Sequence, residues 1–97
     1  MRIIARGTLR TFWEQHLDAE QPLKAWFHNA EQAQWKTPAE VKKAYASASI
    51  LANNRVVFNI KGNDYRLVVM IRYDLSIVFI RFVGSHVEYD GVDATAV

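Results

Sequence analysis

The feature that most constrains this chain is a change of hydrophobic period at Asn53-Asn54. Beyond that pair, Val56, Phe58 and Ile60 alternate with Arg55, Val57 and Asn59. Alternation with period two places one set of side chains on each face of a sheet. Gly62-Asn63 then offers a two-residue hairpin turn, since both residues tolerate positive φ. Counting outward from it pairs Ile60 with Tyr65, Phe58 with Leu67 and Val56 with Val69 on one face. The opposite face pairs Asn59 with Arg66, Val57 with Val68 and Arg55 with Met70. A second turn near Leu75-Ser76 returns Ile77 to Val83 as a third strand. It adds Val78, Ile80 and Phe82 to the apolar face and Phe79 and Arg81 to the other.

Before Asn53 the period is helical. Met1 to Arg6 reads as a short strand. Leu9, Phe12, Trp13 and His16 follow at helical spacing behind Thr8 as the expected cap. Leu23, Trp26, Phe27 and Ala30 repeat that spacing, with Pro22 at a first helical position. Thr37-Pro38-Ala39-Glu40 is a third start, with Thr37 as cap and Glu40 able to reach back to the cap residue's N–H. This helix should fade between Ala46 and Ser49. The expected fold is therefore α+β, in one domain spanning residues 1–97. An N-terminal strand and two to three helices pack on an antiparallel sheet that ends in a three-stranded meander.

Composition narrows the chemistry. The 97 residues are 51% apolar, with two prolines and four glycines, as a folded globule requires. There is no cysteine, hence no disulfide framework and no thiolate nucleophile or metal ligand. Charge interrupts the first residues too early for a signal-peptide core, and no apolar run approaches a membrane span. A soluble cytoplasmic protein is expected, without metal or cofactor. The net charge of +2 is unremarkable, but its distribution is not. Arg55, Lys61, Arg66, Arg72 and Arg81 face only Asp64 and Asp74 within residues 55–82.

On the face away from the helices, Asn59, Arg66 and Arg81 should be neighbours, with Arg55 and Arg72 further along. His86 and Tyr89 follow the last strand. Guanidinium forks suit phosphate oxygens, and an imidazole and a phenol can move protons. RNA carries its own nucleophile, the 2′-OH beside each phosphate. Its internal cleavage needs a base, cations and an acid, and no metal. Spacing alone favours the plainer reading, in which the arginines keep a sheet face solvated. His16 and His28 receive no role. Trp13, Trp26, Phe27 and Trp35 read as core residues, which only exposure would turn into a partner surface. Ser85, His86 and Asp90 stand too close in sequence to form a nucleophile–base–acid set.

The runs Val57-Phe58-Asn59-Ile60-Lys61-Gly62-Asn63, Tyr65-Arg66-Leu67-Val68-Val69, Ile80-Arg81-Phe82 and Ser85-His86-Val87-Glu88-Tyr89-Asp90 resemble HigB-type toxins of the RelE-like superfamily. Trp35-Lys36-Thr37-Pro38-Ala39-Glu40 and the neighbourhood of Ser47-Ala48-Ser49 extend the resemblance over nearly the whole chain. Ser85 stands where threonine is expected, and Asp64 where a basic residue is common. The resemblance implies a metal-independent endoribonuclease that cuts mRNA, in many relatives on the ribosome. It implies a helix-turn-helix antitoxin of the HigA type, through which alone operator DNA is contacted. His86, Arg66, Arg81, Tyr89 and Lys61 become the expected catalytic set, and Asn59, Arg55, Arg72 and Asn63 the expected RNA contacts. The helical half becomes scaffold, with any exposed aromatic positions left for antitoxin contact. A non-catalytic RNA- or ribosome-binding module and a degenerate toxin remain as alternatives.

Overall fold

Strand β4 (Tyr65–Arg72) lies at the centre of the sheet and explains the rest of the architecture. Its odd residues Tyr65, Leu67, Val69 and Ile71 are buried on one face, against the helices. A computed structural model describes residues 1–97 as β1 (Arg2–Ile4), α1 (Arg6–Gln15), a short 3-10 turn (Leu17–Ala19), α2 (Glu20–Gln32), α3 (Pro38–Ala44), β2 (Ser49–Ile50), β3 (Arg55–Ile60), β4, β5 (Ile77–Ser85) and α4 (His86–Asp90). The five strands stand in the order β1-β5-β4-β3-β2. The α+β class is as expected, and so is the meander. Two strands widen it. β2 pairs antiparallel with β3, and β1 pairs parallel with β5, so the sheet is mixed rather than antiparallel. A two-residue strand such as β2 is too short for a periodicity to show.

All six expected β3–β4 pairs are present, from Arg55–Met70 to Ile60–Tyr65. The turn that sets them differs in detail. The left-handed residues are Lys61 (φ 52°) and Gly62 (φ 64°), not Asn63. Asn53 and Asn54 are also left-handed, at φ 60° and 59°, where asparagine is tolerated better than most residues.

The β4–β5 register holds from Arg72–Ile77 to Val69–Ile80 and then slips by one residue. Val68 pairs with Phe82, leaving Arg81 as the extra residue of a β-bulge. Because side chains alternate, this slip reverses the remaining face assignments. Phe82 leaves the helical face and packs with Val57, Val68 and Ala94, while Val83 takes its place on the helical core.

Helix starts were partly legible. The α1 N-cap is Ala5, left-handed at φ 75° and without a side-chain cap. Thr8 lies inside the helix and only donates its N–H to the Ala5 carbonyl, at 3.0 Å. Pro22 is the third residue of α2, still in the first turn, where its missing N–H breaks no helical bond. Thr37 caps α3 as expected, but the Glu40 carboxylate accepts from Lys36 N–H at 3.0 Å, one residue before the cap.

Trp13, Trp26 and Trp35 are all buried, which makes them core and leaves them no partner surface. Phe58 is the sheet residue that Trp26 and Trp35 share. Trp26 and Tyr45 meet it edge-on, at 5.4 and 5.0 Å between centroids, and Trp35 stacks at 6.2 Å. No helix is long and apolar enough to cross a membrane. Phe58 is fully buried, so Phe58→Ala should lower unfolding free energy by about 3–5 kcal/mol, measured by urea denaturation.

Candidate functional site

The face of the sheet away from the three long helices carries the even-numbered residues of β4. Arg66 is its pivot, paired with Asn59 on β3 and Gly84 on β5. The absence of a side chain at Gly84 matters here. A Cβ there would sit 2.6 Å from the Phe82 ring and 3.3 Å from Glu88 Cβ. Without it, the chain turns from β5 directly into α4.

Helix α4 sets His86. Ser85 is its N-cap, accepting from Glu88 N–H at 3.2 Å, while the Glu88 carboxylate accepts from Ser85 N–H at 2.9 Å. This reciprocal pair is a capping box, and the signal S-x-x-E stood in the sequence at Ser85-His86-Val87-Glu88. His86 is therefore a first-turn helical residue rather than a loop residue. Ser85 Oγ is engaged in the cap, so it is no nucleophile.

Arg66 Nη2 donates to His86 Nδ1 at 2.8 Å. A guanidinium can only donate, so Nδ1 must present its lone pair and the ring proton belongs on Nε2. That nitrogen faces Asp90 Oδ2 at 3.7 Å, one helical turn further along. The Tyr89 ring lies beside the guanidinium, with Arg66 Cζ 5.9 Å from its centroid. Arg66 is steadied from behind by the Asn63 carbonyl, which accepts from Nη1 at 2.9 Å. The group is arginine, imidazole, phenol and carboxylate, gathered at one end of β4. Asp90 was not among the expected site residues; its i, i+4 spacing from His86 becomes informative only once α4 is known to be helical.

The other basic residues expected at the site stand apart from this group, whereas Asn59 and Asn63 adjoin Arg66. Lys61 Nζ is 2.7 Å from Asp18 Oδ2 and 3.4 Å from Asp64 Oδ2. These carboxylates raise the Lys61 ammonium above its ordinary pKa, with Asp18 the larger cause. Arg81, displaced by the bulge, is not beside Arg66; its Nε donates to the Val97 carbonyl at 3.0 Å. Arg55 Nη2 reaches the same oxygen, at 2.5 Å. Residues near the C-terminus thus cover this part of the face, with Ala94 buried against Val57 and Val68. Arg72 is paired with Asp74 at 2.8 Å, at the far end of β4. Asn59 Nδ2 donates to Ser47 O at 3.4 Å, and Asn63 contributes its backbone to Arg66.

The shape of the site limits its ligand. The surface grooves lie elsewhere, one of them between α1 and α2 beside Arg6, Trp13 and Lys24, and none is lined by Arg66, His86 or Tyr89. Small molecules favour concave pockets, whereas an open basic face suits an extended polymer. No three His, Asp or Glu side chains converge as metal ligands would.

Comparison with known proteins bears on the family of the chain. A family model described as HigB toxin, the RelE-like toxic component of a toxin-antitoxin system, matches residues 19–92. The chain is 27% identical over 92 residues to the mRNA interferase toxin HigB of Escherichia coli strain K12, covering 93% of this chain and 88% of that protein. The mRNA interferases HigB of Escherichia coli O157:H7 and Shigella flexneri match with the same identity and coverage.

The cap of α4 carries a pH dependence. The backbone N–H and hydroxyl of Ser85, with a smaller contribution from His16, hold the Glu88 carboxyl below its ordinary value of 4.5. A depressed carboxyl contributes stability that is present above the unfolded value and lost as pH falls through the lower folded one. Glu88→Gln should therefore flatten the acid-side loss of stability, read as urea midpoints across that window. Ser85→Ala should cost about 1 kcal/mol and speed amide exchange within α4.

Proposed function

From the premise that the chain belongs to the HigB family of RelE-like toxins, the toxic components of toxin–antitoxin systems, we propose that it is an endoribonuclease that cleaves mRNA at the Arg66–His86–Tyr89 group. The observation that carries this reading is the 2.8 Å contact between Arg66 and His86 on an open, basic sheet face. His86 Nδ1 holds a lone pair that Arg66 covers at rest. When a phosphate draws the guanidinium to itself, that lone pair is released to take the proton of the adjacent 2′-OH. The 2′-oxygen attacks phosphorus, the bond to the 5′-oxygen breaks, and a 2′,3′-cyclic phosphate and a 5′-hydroxyl result. Asp90, facing Nε2–H, steadies the imidazolium that forms, as a carboxylate does in other histidine-base sites. Arg66 offsets the charge that builds on the phosphorane. Tyr89 stands close enough to Arg66 to serve as proton donor to the leaving oxygen. The nucleophile is supplied by the RNA, so the scheme calls for no metal.

Asn59, paired with Arg66 across the β3–β4 register, is the polar contact beside the site, whereas Arg55, Arg72 and Arg81 reach the strand only by giving up their partners within the chain. The setting is the cytoplasm, with mRNA cut on the translating ribosome. The neutralising partner is a HigA-type helix-turn-helix antitoxin, and operator DNA is reached only through it.

Purified protein is to be incubated with a reporter message, with and without translating ribosomes. Cleavage should leave cyclic-phosphate ends and vanish when the scissile nucleotide is 2′-deoxy. His86→Ala and Arg66→Ala should each lower the cleavage rate on the order of 100-fold. An intact message in both conditions, with salt-sensitive RNA binding that Arg66→Glu weakens, would identify a binding module instead.

A further inference from the structure

Arg66 and His86 both rest on the turn that joins β3 to β4. Arg66 Nη1 donates to the Asn63 carbonyl at 2.9 Å, and His86 N–H donates to the Asp64 carbonyl at 3.2 Å. Within the turn Lys61 and Gly62 are both left-handed, one backbone bond, Asp64 N–H to Lys61 O at 3.2 Å, closes it, and the Lys61–Asp64 side-chain contact at 3.4 Å is exposed and long. Its anchor lies in the helical layer. Asp18, in the 3-10 turn between α1 and α2, accepts Lys61 Nζ on one carboxylate oxygen at 2.7 Å and the Tyr65 hydroxyl on the other at 2.5 Å. Those two residues bracket the turn, Lys61 at its first position and Tyr65 just after its last. The Tyr65 ring is itself packed edge-on by His16 at 5.6 Å and by Phe12 at 5.3 Å.

We propose that Asp18 is a positioning residue for the cleavage site: by gripping both ends of the 61–64 turn it sets the carbonyls of Asn63 and Asp64, and through them the meeting of Arg66 with His86. The inference rests on the ribonuclease reading given above. It also assigns Lys61 to this latch, because an ammonium enclosed by two carboxylates is not presented to an RNA phosphate. The ion pair is solvent-exposed, at 43% and 47% for the two side chains, and such pairs add little to global stability. A latch of this kind is therefore visible in rate rather than in unfolding. Misplacing reacting groups by a fraction of their contact distance reduces rate by one to two orders of magnitude.

The test compares Asp18→Ala, Asp18→Asn and Asp18→Glu in full-length protein, by single-turnover and steady-state cleavage and by amide exchange at His86. Asp18→Ala should lower kcat about 10- to 100-fold with KM within about threefold, and should speed exchange of the His86 amide. Asp18→Asn keeps an acceptor for Tyr65 without the charge and should fall between. Asp18→Glu restores both contacts and should recover to within about threefold of the parent. Lys61→Met should reproduce the kcat loss; a rise in KM with a shallower salt dependence would instead place Lys61 on the RNA and overturn its assignment to the latch. Unchanged kcat in Asp18→Ala, or failure of Asp18→Glu to recover, overturns the proposal. If Asp18→Ala does not fold, Asp18→Asn and Tyr65→Phe carry the same readouts. Should the parent protein cut no RNA, the ribonuclease reading fails, and unchanged His86 exchange in Asp18→Ala would separately overturn the positioning role.

Discussion

Hydrogen bonding of β4 on both edges is the constraint on which the remaining structure depends. Pairing to β3 and to β5 leaves this strand no freedom to slide or rotate, so its alternation is fixed in space. Odd residues are committed to the helical core and even residues to the opposite face. Arg66 thus emerges on the open side because Tyr65 and Leu67 are buried on the other. The aromatic cluster around Phe58 makes the same commitment from β3, and a slip of either strand would bury a guanidinium and expose a core of tryptophans. Such a slip is prohibitive, since burying an unpaired charge is among the costliest changes available to a protein.

How far the sequence can be read follows from this constraint. The β3–β4 register was legible because a turn and an unbroken alternation agreed over six pairs. The β4–β5 register was legible only to Ile80, because a bulge leaves no mark on composition and simply inverts the parity beyond it. Phe82 and Arg81 were misplaced for that one reason. Parallel pairing of β1 with β5 is a long-range event, and three residues carry no periodic signature of it. Helix α4 went unread, although its capping box stood in the sequence beside the histidine it positions.

The chemistry was legible by residue type and not by allocation. Sequence identifies five cations on the last strands but says nothing of which carboxylate or carbonyl each will meet. Folding divides them: Arg72 goes to Asp74, Lys61 to Asp18 and Asp64, and Arg55 and Arg81 to one carbonyl oxygen. Arg66 alone is left against the imidazole. Asp18 lies 43 residues from Lys61 and 47 from Tyr65, a separation at which no local pattern operates. The modest net charge is consistent with this division, because most of the basic face is already answered within the chain.

The bulge at Arg81 has a consequence for how such a domain can vary. Parity along β5 is a binary property, and one inserted residue toggles it. Upstream of Arg81 the strand keeps its even-numbered residues inward, and downstream its odd-numbered ones. Gly84 and the start of α4 inherit the second setting. A single-codon deletion anywhere between Ile80 and Gly84 would restore the first setting and carry the histidine-bearing helix toward the opposite side of the sheet. Point changes along this strand therefore alter packing by degrees, whereas a change of length by one decides on which side of the molecule the imidazole stands.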